Sequence, residues 1–206
     1  MKDLFGEKVN DGADGRGKGK GMLRVIGASN CSLTERAAAD FYATPPEAVE
    51  MLLGLEDFSE RIVEPCCGMG HIGKVLEAHG HQVDARDLID RGYGTGGMDF
   101  LRCADMGLDA DIVTNPPYSM AREFVEKSLQ VVGGGHKVAM FLKLTFLEGK
   151  ARRGLFEAQP PKRIWVSSSR LACAKNGGEF TQSCICYAWF VWIKGWRGDT
   201  VVKWFN

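Results

Sequence analysis

The sequence predicts an α/β fold: a mostly parallel, twisted sheet with helices on both faces and antiparallel strands at one edge. From residue 41 to residue 144, short β-branched runs alternate with segments whose apolar residues recur at helical spacing. That alternation is typical of parallel strands joined by right-handed crossover helices. After residue 160 three strand-like runs follow, with no convincing helix between the last two. Antiparallel strands that close one edge would account for this ending.

The first elements are a helix, a strand and a second helix. Thr44 and Glu47 have the spacing of a capping box, with prolines between them, so a helix is predicted over residues 44–53. A β-branched run at 61–66 ends in a proline and a glycine turn, which predicts a strand. Apolar residues at helical spacing over 72–79, followed by a glycine, predict the next helix.

The remaining elements alternate in the same way until the C-terminal part. A helix is predicted over 124–132. The run at 137–144 is too apolar to face water on either side, which indicates a strand buried on both faces. Further strands are predicted at 81–88, 110–114, 164–168, 184–193 and 201–205.

Composition narrows the class of protein. The 206 residues (22.6 kDa) suffice for one domain, or for one domain and a tail, and 45% hydrophobic with 25% charged residues is an ordinary globular mix. Lysine plus arginine equals aspartate plus glutamate, at 26 each. This balance excludes the general basicity of a protein that coats nucleic acid, although a local basic strip stays open.

The cysteines and the hydropathy pattern predict the compartment. Seven cysteines are an odd number, and none are spaced as C-x-x-C, so we expect reduced thiols rather than a disulfide framework. No apolar run approaches the length that spans a bilayer, and the N-terminus lacks a signal-peptide core. We therefore expect a soluble, cytoplasmic protein, without a membrane partner.

Two parts of the chain differ in organisation. Residues 1–39 are predicted to be an N-terminal arm, in which residues 10–21 interleave glycines with charged residues as a flexible linker does. Residues 40–206 are predicted to form the folded domain.

The first motif with chemical meaning is the glycine-rich turn Glu64-Pro65-Cys66-Cys67-Gly68-Met69-Gly70 between a strand and a helix. Such a turn lets a ligand approach the backbone, but glycine turns in α/β proteins are often only turns. About 20 residues further on, Asp87 lies at the carboxyl end of the next predicted strand. Nucleotide-binding α/β folds hold ribose hydroxyls with an acid at that place, and a solvated surface acid is the alternative.

The second motif is Asn115-Pro116-Pro117-Tyr118, directly after an apolar strand. The prolines make a stiff turn that leaves carbonyl groups pointing outward, asparagine offers an acceptor oxygen, and tyrosine offers a flat face. Such a corner can accept both hydrogens of an exocyclic amine while a planar ring stacks beside it. If the motif were only an asparagine followed by a proline, a proline turn with a capping asparagine would be the default interpretation.

With these motifs in place, the chain resembles the S-adenosylmethionine-dependent N6-adenine DNA methyltransferases, most closely the short Dam-like enzymes of phages and prophages. The segments that carry the resemblance are DFYATPPEAV (40–49), VEPCCGMG (63–70), MDFL (98–101), NPPY (115–118) and FLKLTFLEG (141–149). The resemblance implies a Rossmann-like class I methyltransferase fold over residues 40–206. It also implies methyl transfer from S-adenosylmethionine to the N6 amine of an adenine flipped out of DNA.

The resemblance implies contacts along the whole cofactor. The methionine end would be bordered by Tyr42, Thr44 and Pro45, and from the sheet side by Glu64, Pro65, Gly68 and Gly70. Asp87 would bind the ribose, Asp99 and Phe100 the cofactor's adenine, and Asn115 would also lie against the cofactor. The chain departs from the family at Cys66-Cys67, where alanine, proline or serine is common. Because all of these are small, we expect the change to be tolerated.

The same resemblance assigns the catalytic residues to the turn Asn115, Pro116, Pro117 and Tyr118. The N6 lone pair is delocalised into its ring and is a poor nucleophile. Acceptance of its hydrogens by the Asn115 side chain and the Pro116 carbonyl would make it more reactive, while Tyr118 stacks on the base. The sulfonium is already an activated donor, so no metal is required.

Contacts to nucleic acid are less defined by the sequence. Lys150, Arg152 and Arg153 could form a phosphate-binding strip or a solvated helix face. Residues 147–182 are the candidate for a small recognition insert; otherwise specificity is loose. With so few contacts available, we expect single-stranded or mismatched DNA to be methylated at least as fast as matched duplex. Adenine in RNA, a protein glutamine amide and a non-catalytic binding role remain alternatives.

Overall fold

The computed structural model describes residues 41–104, 107–180 and 185–205. The predicted N-terminal arm (1–39) and its glycine-rich linker (10–21) lie outside the described residues. The described residues all belong to one compact unit of the chain, Thr34–Asn206.

In the part of the chain that the structure describes, nine strands form two sheets. A small sheet pairs β1 with β7, and the main sheet has the order β3-β2-β4-β5-β8-β6-β9. The strands are β1 (Tyr42–Ala43), β2 (Arg61–Glu64), β3 (Gln82–Ala85), β4 (Asp111–Thr114), β5 (Lys137–Lys143), β6 (Arg163–Ser167), β7 (Ala174–Lys175), β8 (Tyr187–Ile193) and β9 (Val201–Phe205).

The main sheet is parallel except for β8, which is antiparallel to both of its neighbours, β5 and β6. The antiparallel pairings therefore lie in the half of the sheet that the C-terminal strands form, and the predicted fold class is confirmed. From β2 the chain crosses first to β3 on one side and then to β4 on the other. This reversal creates a crevice at the carboxyl ends of β2 and β4, where α/β folds bind ligands.

Helices cover both faces of the sheet. They are α1 (Pro46–Leu53), α2 (Gly73–Ala78), α3 (Ala121–Val131) and α4 (Lys150–Ala158). The predicted helices and strands are thus confirmed, with bounds shifted by a few residues. None of the helices among the described residues has both the length and the apolar character needed to cross a membrane.

Strand β8 shows why the sheet needs cover on both faces. Trp189 and Val191 are buried in one apolar cluster with residues of α1 and α2, whereas Phe190 and Trp192 are buried in another with residues of α3 and α4. Successive side chains of a strand point to opposite faces, so a strand that is apolar at every position must be buried on both.

An ion cluster joins the amino ends of β5 and β6 to the segment after α1. The carboxylate of Glu56 is buried, and it accepts hydrogen bonds from Arg163, Lys137 (Nζ, 3.0 Å) and Trp165 (Nε1, 2.9 Å). Burial alone would raise the pKa of Glu56, but these hydrogen bonds lower it to about 2. The cluster lies at the edge of the sheet opposite the crevice.

Candidate cofactor and substrate site

A cleft of about 750 Å³, counted to its open mouth, occupies the crevice at the carboxyl ends of β2 and β4. Six of its lining residues were predicted from the sequence as cofactor contacts: Tyr42, Pro65, Asp87, Asp99, Phe100 and Asn115. Pro117 of the second motif lines it as well.

The glycine turn after β2 requires its glycines. Gly68 and Gly70 have φ values of +55° and +82°, which side chains rarely adopt. A Cβ at Gly68 would also overlap the ring of Phe41, and one at Gly70 would come within 2.7 Å of the ring of Tyr93. The backbone of the turn is therefore approached closely by two aromatic side chains.

Glu64 lies under this turn and does not line the cleft. Its side chain is buried, and Oε2 has no hydrogen-bond partner among the described residues. Burial raises the pKa of Glu64 well above its usual value, and a hydrogen bond from the Gly73 backbone opposes the shift only in part. A buried carboxyl oxygen without a partner is costly, so this atom is suited to a polar group that the chain itself does not supply.

Asp87 connects the glycine turn to a neighbouring loop. Its carboxylate accepts from the backbone N–H of Gly68 (2.8 Å) and Ile89 (2.8 Å), and from Arg91 Nη1 (3.0 Å). The guanidinium of Arg91 lies over the ring of Phe41, 4.5 Å from its centroid. Arg91 thus joins Asp87 to Phe41, a contact that the sequence pattern did not indicate.

Asp99 and Phe100 lie in the same cleft wall. Asp99 caps the short 3₁₀ helix Phe100–Arg102 by accepting from Leu101 N at 3.1 Å, and its carboxylate is partly exposed. Phe100 is buried and stacks on Phe124, with ring centroids 5.6 Å apart.

Asn115 is held from two sides. Its Nδ2 donates to the Tyr42 carbonyl oxygen (2.7 Å) and to Thr44 Oγ1 (2.9 Å). Because both amide hydrogens are used, Oδ1 remains as the acceptor, and no described residue donates to it. The capping box predicted at Thr44 is wrong: Pro45 is the residue that precedes α1, and no side chain caps the helix. The Thr44 hydroxyl serves Asn115 instead.

The rest of the second motif forms the turn into α3. Pro116 is buried, and the carbonyl of Pro117 accepts from Met120 N (2.9 Å) in the 3₁₀ helix Tyr118–Met120. The motif therefore follows β4 directly and places Asn115 at the wall of the cleft.

Tyr118 is packed into an aromatic cluster. Its ring stacks on Tyr42 (centroids 5.6 Å apart, 29° between planes) and contacts Tyr187, and its hydroxyl lies 3.5 Å from Cys173 Sγ. Lys143 Nζ lies over the ring, 4.6 Å from the centroid. Burial raises the pKa of Tyr118 well above its usual value and that of Cys173 to about 11, so both groups stay protonated at neutral pH. A base that stacked on Tyr118 on the side of Tyr42 would have to displace Tyr42.

The predicted basic strip is only partly available. Arg152 donates to the backbone carbonyls of Phe146 (2.7 Å) and Thr145 (3.1 Å), in the 3₁₀ helix Leu144–Leu147, and to that of Glu148, directly after it. These bonds use Nε and Nη2 of the guanidinium within the chain, and phosphate binding by Arg152 stays a prediction. Arg153 is exposed and paired with Glu157 (2.6 Å), and Lys150 is exposed.

The described residues that follow β6, up to residue 180, include a strand that pairs next to the site. This strand, β7, pairs with β1, which places Lys175 opposite Tyr42 and Ala174 opposite Ala43. Residues 147–182 were proposed from the sequence as a small recognition insert. Within that range, α4 packs on the main core and β6 is a strand of the main sheet. Sequence analysis did not single out five residues that border this region: Phe41, Arg91, Lys143, Cys173 and Lys175. Phe41 and Lys143 lie within segments 40–49 and 141–149, which carry the resemblance, whereas the other three belong to no local motif.

No protein-family model matches this sequence, and none of the curated proteins matches it. Solved structures do resemble it. A candidate class I S-adenosylmethionine-dependent methyltransferase from Listeria monocytogenes matches with a TM-score of 0.56 at 11% identity, over 79% of this chain and 65% of that one. The fold is that of the class I methyltransferases.

Two further structures share this methyltransferase fold. The modification subunit of a candidate type I restriction enzyme from Vibrio vulnificus matches with a TM-score of 0.57 at 15% identity, over 88% of this chain and 48% of that one. A predicted O-methyltransferase from Agrobacterium tumefaciens matches with a TM-score of 0.53 at 13% identity, over 76% of this chain and 84% of that one. The chain thus spans less than two thirds of the Listeria and Vibrio proteins.

The methyltransferase fold carries no recognisable metal centre in its described part. No group of three or more histidine, cysteine, aspartate or glutamate side chains among the described residues could hold a metal ion. Cys66, Cys67, Cys103, Cys173 and Cys186 are present as free thiols.

Proposed function

We propose that this chain transfers a methyl group from S-adenosylmethionine to the exocyclic N6 amine of adenine in DNA. The observation that carries the proposal is the orientation of Asn115. Its Nδ2 is bound by Tyr42 and Thr44 at the wall of the cleft, so its Oδ1 is left as an acceptor. An acceptor held in place before the substrate arrives is what stabilises charge that develops on an amine during transfer.

The residues of the cleft fit the cofactor. Asp99 presents a partly exposed carboxylate, which can accept from the adenine amine, beside the buried ring of Phe100. Asp87 borders the cleft, and a carboxylate has lone pairs beyond the three donors that it already binds. Glu64 is buried and does not line the cleft, so a contact between its Oε2 and the methionine end of the cofactor stays a prediction.

When bound, S-adenosylmethionine would supply an activated methyl group on a sulfonium. The residues of the chain would then act on the amine. Asn115 Oδ1 and the Pro116 carbonyl would each accept one N6 hydrogen, so that the nitrogen lone pair becomes available to the methyl carbon. N6 would form a bond to the methyl carbon as the carbon–sulfur bond breaks, sulfur would keep the electron pair as a neutral thioether, and one N6 proton would then pass to solvent water. Positioning and electrostatics would account for the rate.

We propose DNA rather than RNA or protein as the substrate for two reasons. The motif Asn115–Tyr118 resembles that of the N6-adenine DNA methyltransferases, and the Vibrio protein of similar fold is a modification subunit of a candidate restriction enzyme. Methylation of RNA adenine or of a glutamine amide would use the same corner, and the experiment must distinguish these substrates.

The test is methylation by the purified chain with methyl-labelled S-adenosylmethionine and single-stranded DNA, duplex DNA, RNA or protein. Nucleosides and amino acids would be identified by mass spectrometry after digestion. N6-methyladenine in DNA, lost in Asn115→Ala, is the expected result. Label found in RNA or glutamine alone would contradict the substrate, and failure to bind the cofactor in calorimetry would contradict the activity as a whole.

A further inference from the structure

We infer that Lys175, with Lys143, forms a phosphate-binding pair at the mouth of the target site, and that it contacts the sugar-phosphate backbone beside the reacting base. The inference rests on the proposed function and deepens it, because it names the part of the substrate that this surface binds. It starts from the small sheet of β1 and β7.

The ladder between β1 and β7 determines where Lys175 projects. Lys175 lies opposite Tyr42 in antiparallel register. Opposite residues of an antiparallel pair project to the same face, with Cβ atoms about 5 Å apart. The ring of Tyr42 lines the cleft and stacks on Tyr118. The Lys175 side chain therefore starts beside the two tyrosines that border the Asn115 corner.

A second lysine reaches the same two rings from another strand. Lys143 ends β5, and its Nζ lies 4.6 Å from the ring centroid of Tyr118 and 5.7 Å from that of Tyr42. Two lysines from separate elements thus lie next to one pair of aromatic rings, Lys143 by its ammonium group and Lys175 by its place opposite Tyr42 in the ladder. Lys143 and Lys175 are far apart in the sequence, so their positions in the chain did not indicate that they lie near the same two tyrosines.

The charge of Lys175 is directed outward. Lys175 is exposed, and within the described part of the chain no carboxylate forms an ion pair with it. By contrast, Arg153 is paired with Glu157, and Arg152 is bound to backbone carbonyls of its own chain. Unlike Arg152 and Arg153, Lys175 is therefore suited to bind an external anion.

The chemistry of a nucleic acid fits this position. A base that enters the Asn115 corner carries a phosphodiester on each side of its sugar, so negative charge must lie just outside the tyrosine pair. A lysine is a compact point charge that suits a phosphate without a fixed orientation. A peptide that presents a glutamine amide need not carry an anion there.

The experiment compares Lys175→Ala and Lys175→Glu with Lys203→Glu. Lys203 is a matched control, because it is also an exposed strand lysine beside an aromatic ring (Trp165, 5.5 Å) but lies on the edge strand β9. Binding of a fluorescent single-stranded oligonucleotide containing adenine would be measured by anisotropy at several salt concentrations. Cofactor affinity would be measured by calorimetry, and melting temperature would report folding.

For Lys175→Ala we expect about three- to tenfold weaker binding and a salt slope that is less steep by about 0.7, the value for one phosphate contact on a single strand. Lys175→Glu should weaken binding further, whereas Lys203→Glu, cofactor affinity and melting temperature should stay unchanged. If Lys175→Glu binds the oligonucleotide as Lys203→Glu does, the inference is wrong while the proposed function stands. If the wild-type chain binds the cofactor but methylates only protein, both are wrong.

Discussion

Asn115 and Thr44 are joined by a side-chain hydrogen bond of 2.9 Å, although they lie 71 positions apart in the chain. The bond connects the residue that follows β4 to the residue that precedes Pro45 and Pro46, where α1 begins. With the second bond, to the Tyr42 carbonyl, it determines which atom of the Asn115 amide can accept a hydrogen. The orientation of the proposed catalytic group is thus set by the backbone and hydroxyl of a distant segment.

Asn115→Ala should abolish methyl transfer and leave cofactor affinity unchanged, because the lost acceptor acts mainly in the transition state. Single-turnover rates with DNA and calorimetry with S-adenosylmethionine would test the two effects separately. A turnover within about threefold of wild type, a barrier change well under 1 kcal/mol, would contradict the assigned role.

Asp99→Ala should have the opposite pattern. The carboxylate is partly exposed in the cleft, so its removal should weaken S-adenosylmethionine binding before it affects the rate at saturating cofactor. Asp199→Ala, an exposed aspartate in the β8–β9 connection, is the control. Unchanged affinity in Asp99→Ala would exclude this residue from the cofactor site.

Arg91→Met should weaken cofactor binding by about tenfold with little change in turnover at saturation, because Arg91 holds Asp87 and Phe41 together beside the glycine turn. Phe41→Leu should have a similar effect, and the double variant should show less than the sum of the two. Calorimetry with S-adenosylmethionine on the wild type, the two single variants and the double variant gives the double-mutant cycle. Additive effects would show that the two side chains act independently.

Glu56→Gln should destabilise the fold by about 3 kcal/mol at pH 7, since it removes one partner of a buried ion cluster. The folded-state pKa of Glu56, about 2, is below its ordinary value of 4.5. Its contribution to stability is therefore complete above pH 4.5 and is lost as the pH falls toward 2. Urea unfolding at pH 7 and pH 3 would test this, and a difference between wild type and variant that does not shrink at pH 3 would contradict it.

Single-stranded or mismatched DNA should be methylated at least as fast as matched duplex, because an unpaired adenine costs less to extrude. Rates would be compared at equal adenine concentration and fixed ionic strength. A duplex preference of tenfold or more, about 1.4 kcal/mol, would show that elements of the protein read the duplex.

The sequence was sufficient for features that depend on neighbouring residues. The alternation of β-branched runs and helical periods predicted the strands and helices, and Gly68 and Gly70 marked a turn with positive φ. The turn Asn115–Tyr118 was recognisable because two prolines follow a buried strand directly. Each of these signals is local, and local backbone preferences act over a few residues.

Only the tertiary structure decided how distant side chains share their hydrogen bonds and charges. The spacing of Thr44 was that of a helix cap, yet its hydroxyl is an acceptor for Asn115, because β4 brings that amide within reach. Arg152 was a candidate for phosphate binding, yet three backbone carbonyls hold its guanidinium. Lys175 lies opposite Tyr42 only because a two-residue ladder joins β7 to β1. The sequence by itself determined the motifs, the seven strands of the main sheet and three of the four helices, but it did not predict β1, β7 or α4. The order of strands determined which polar groups meet, because it decides which distant side chains come within hydrogen-bonding distance of one another.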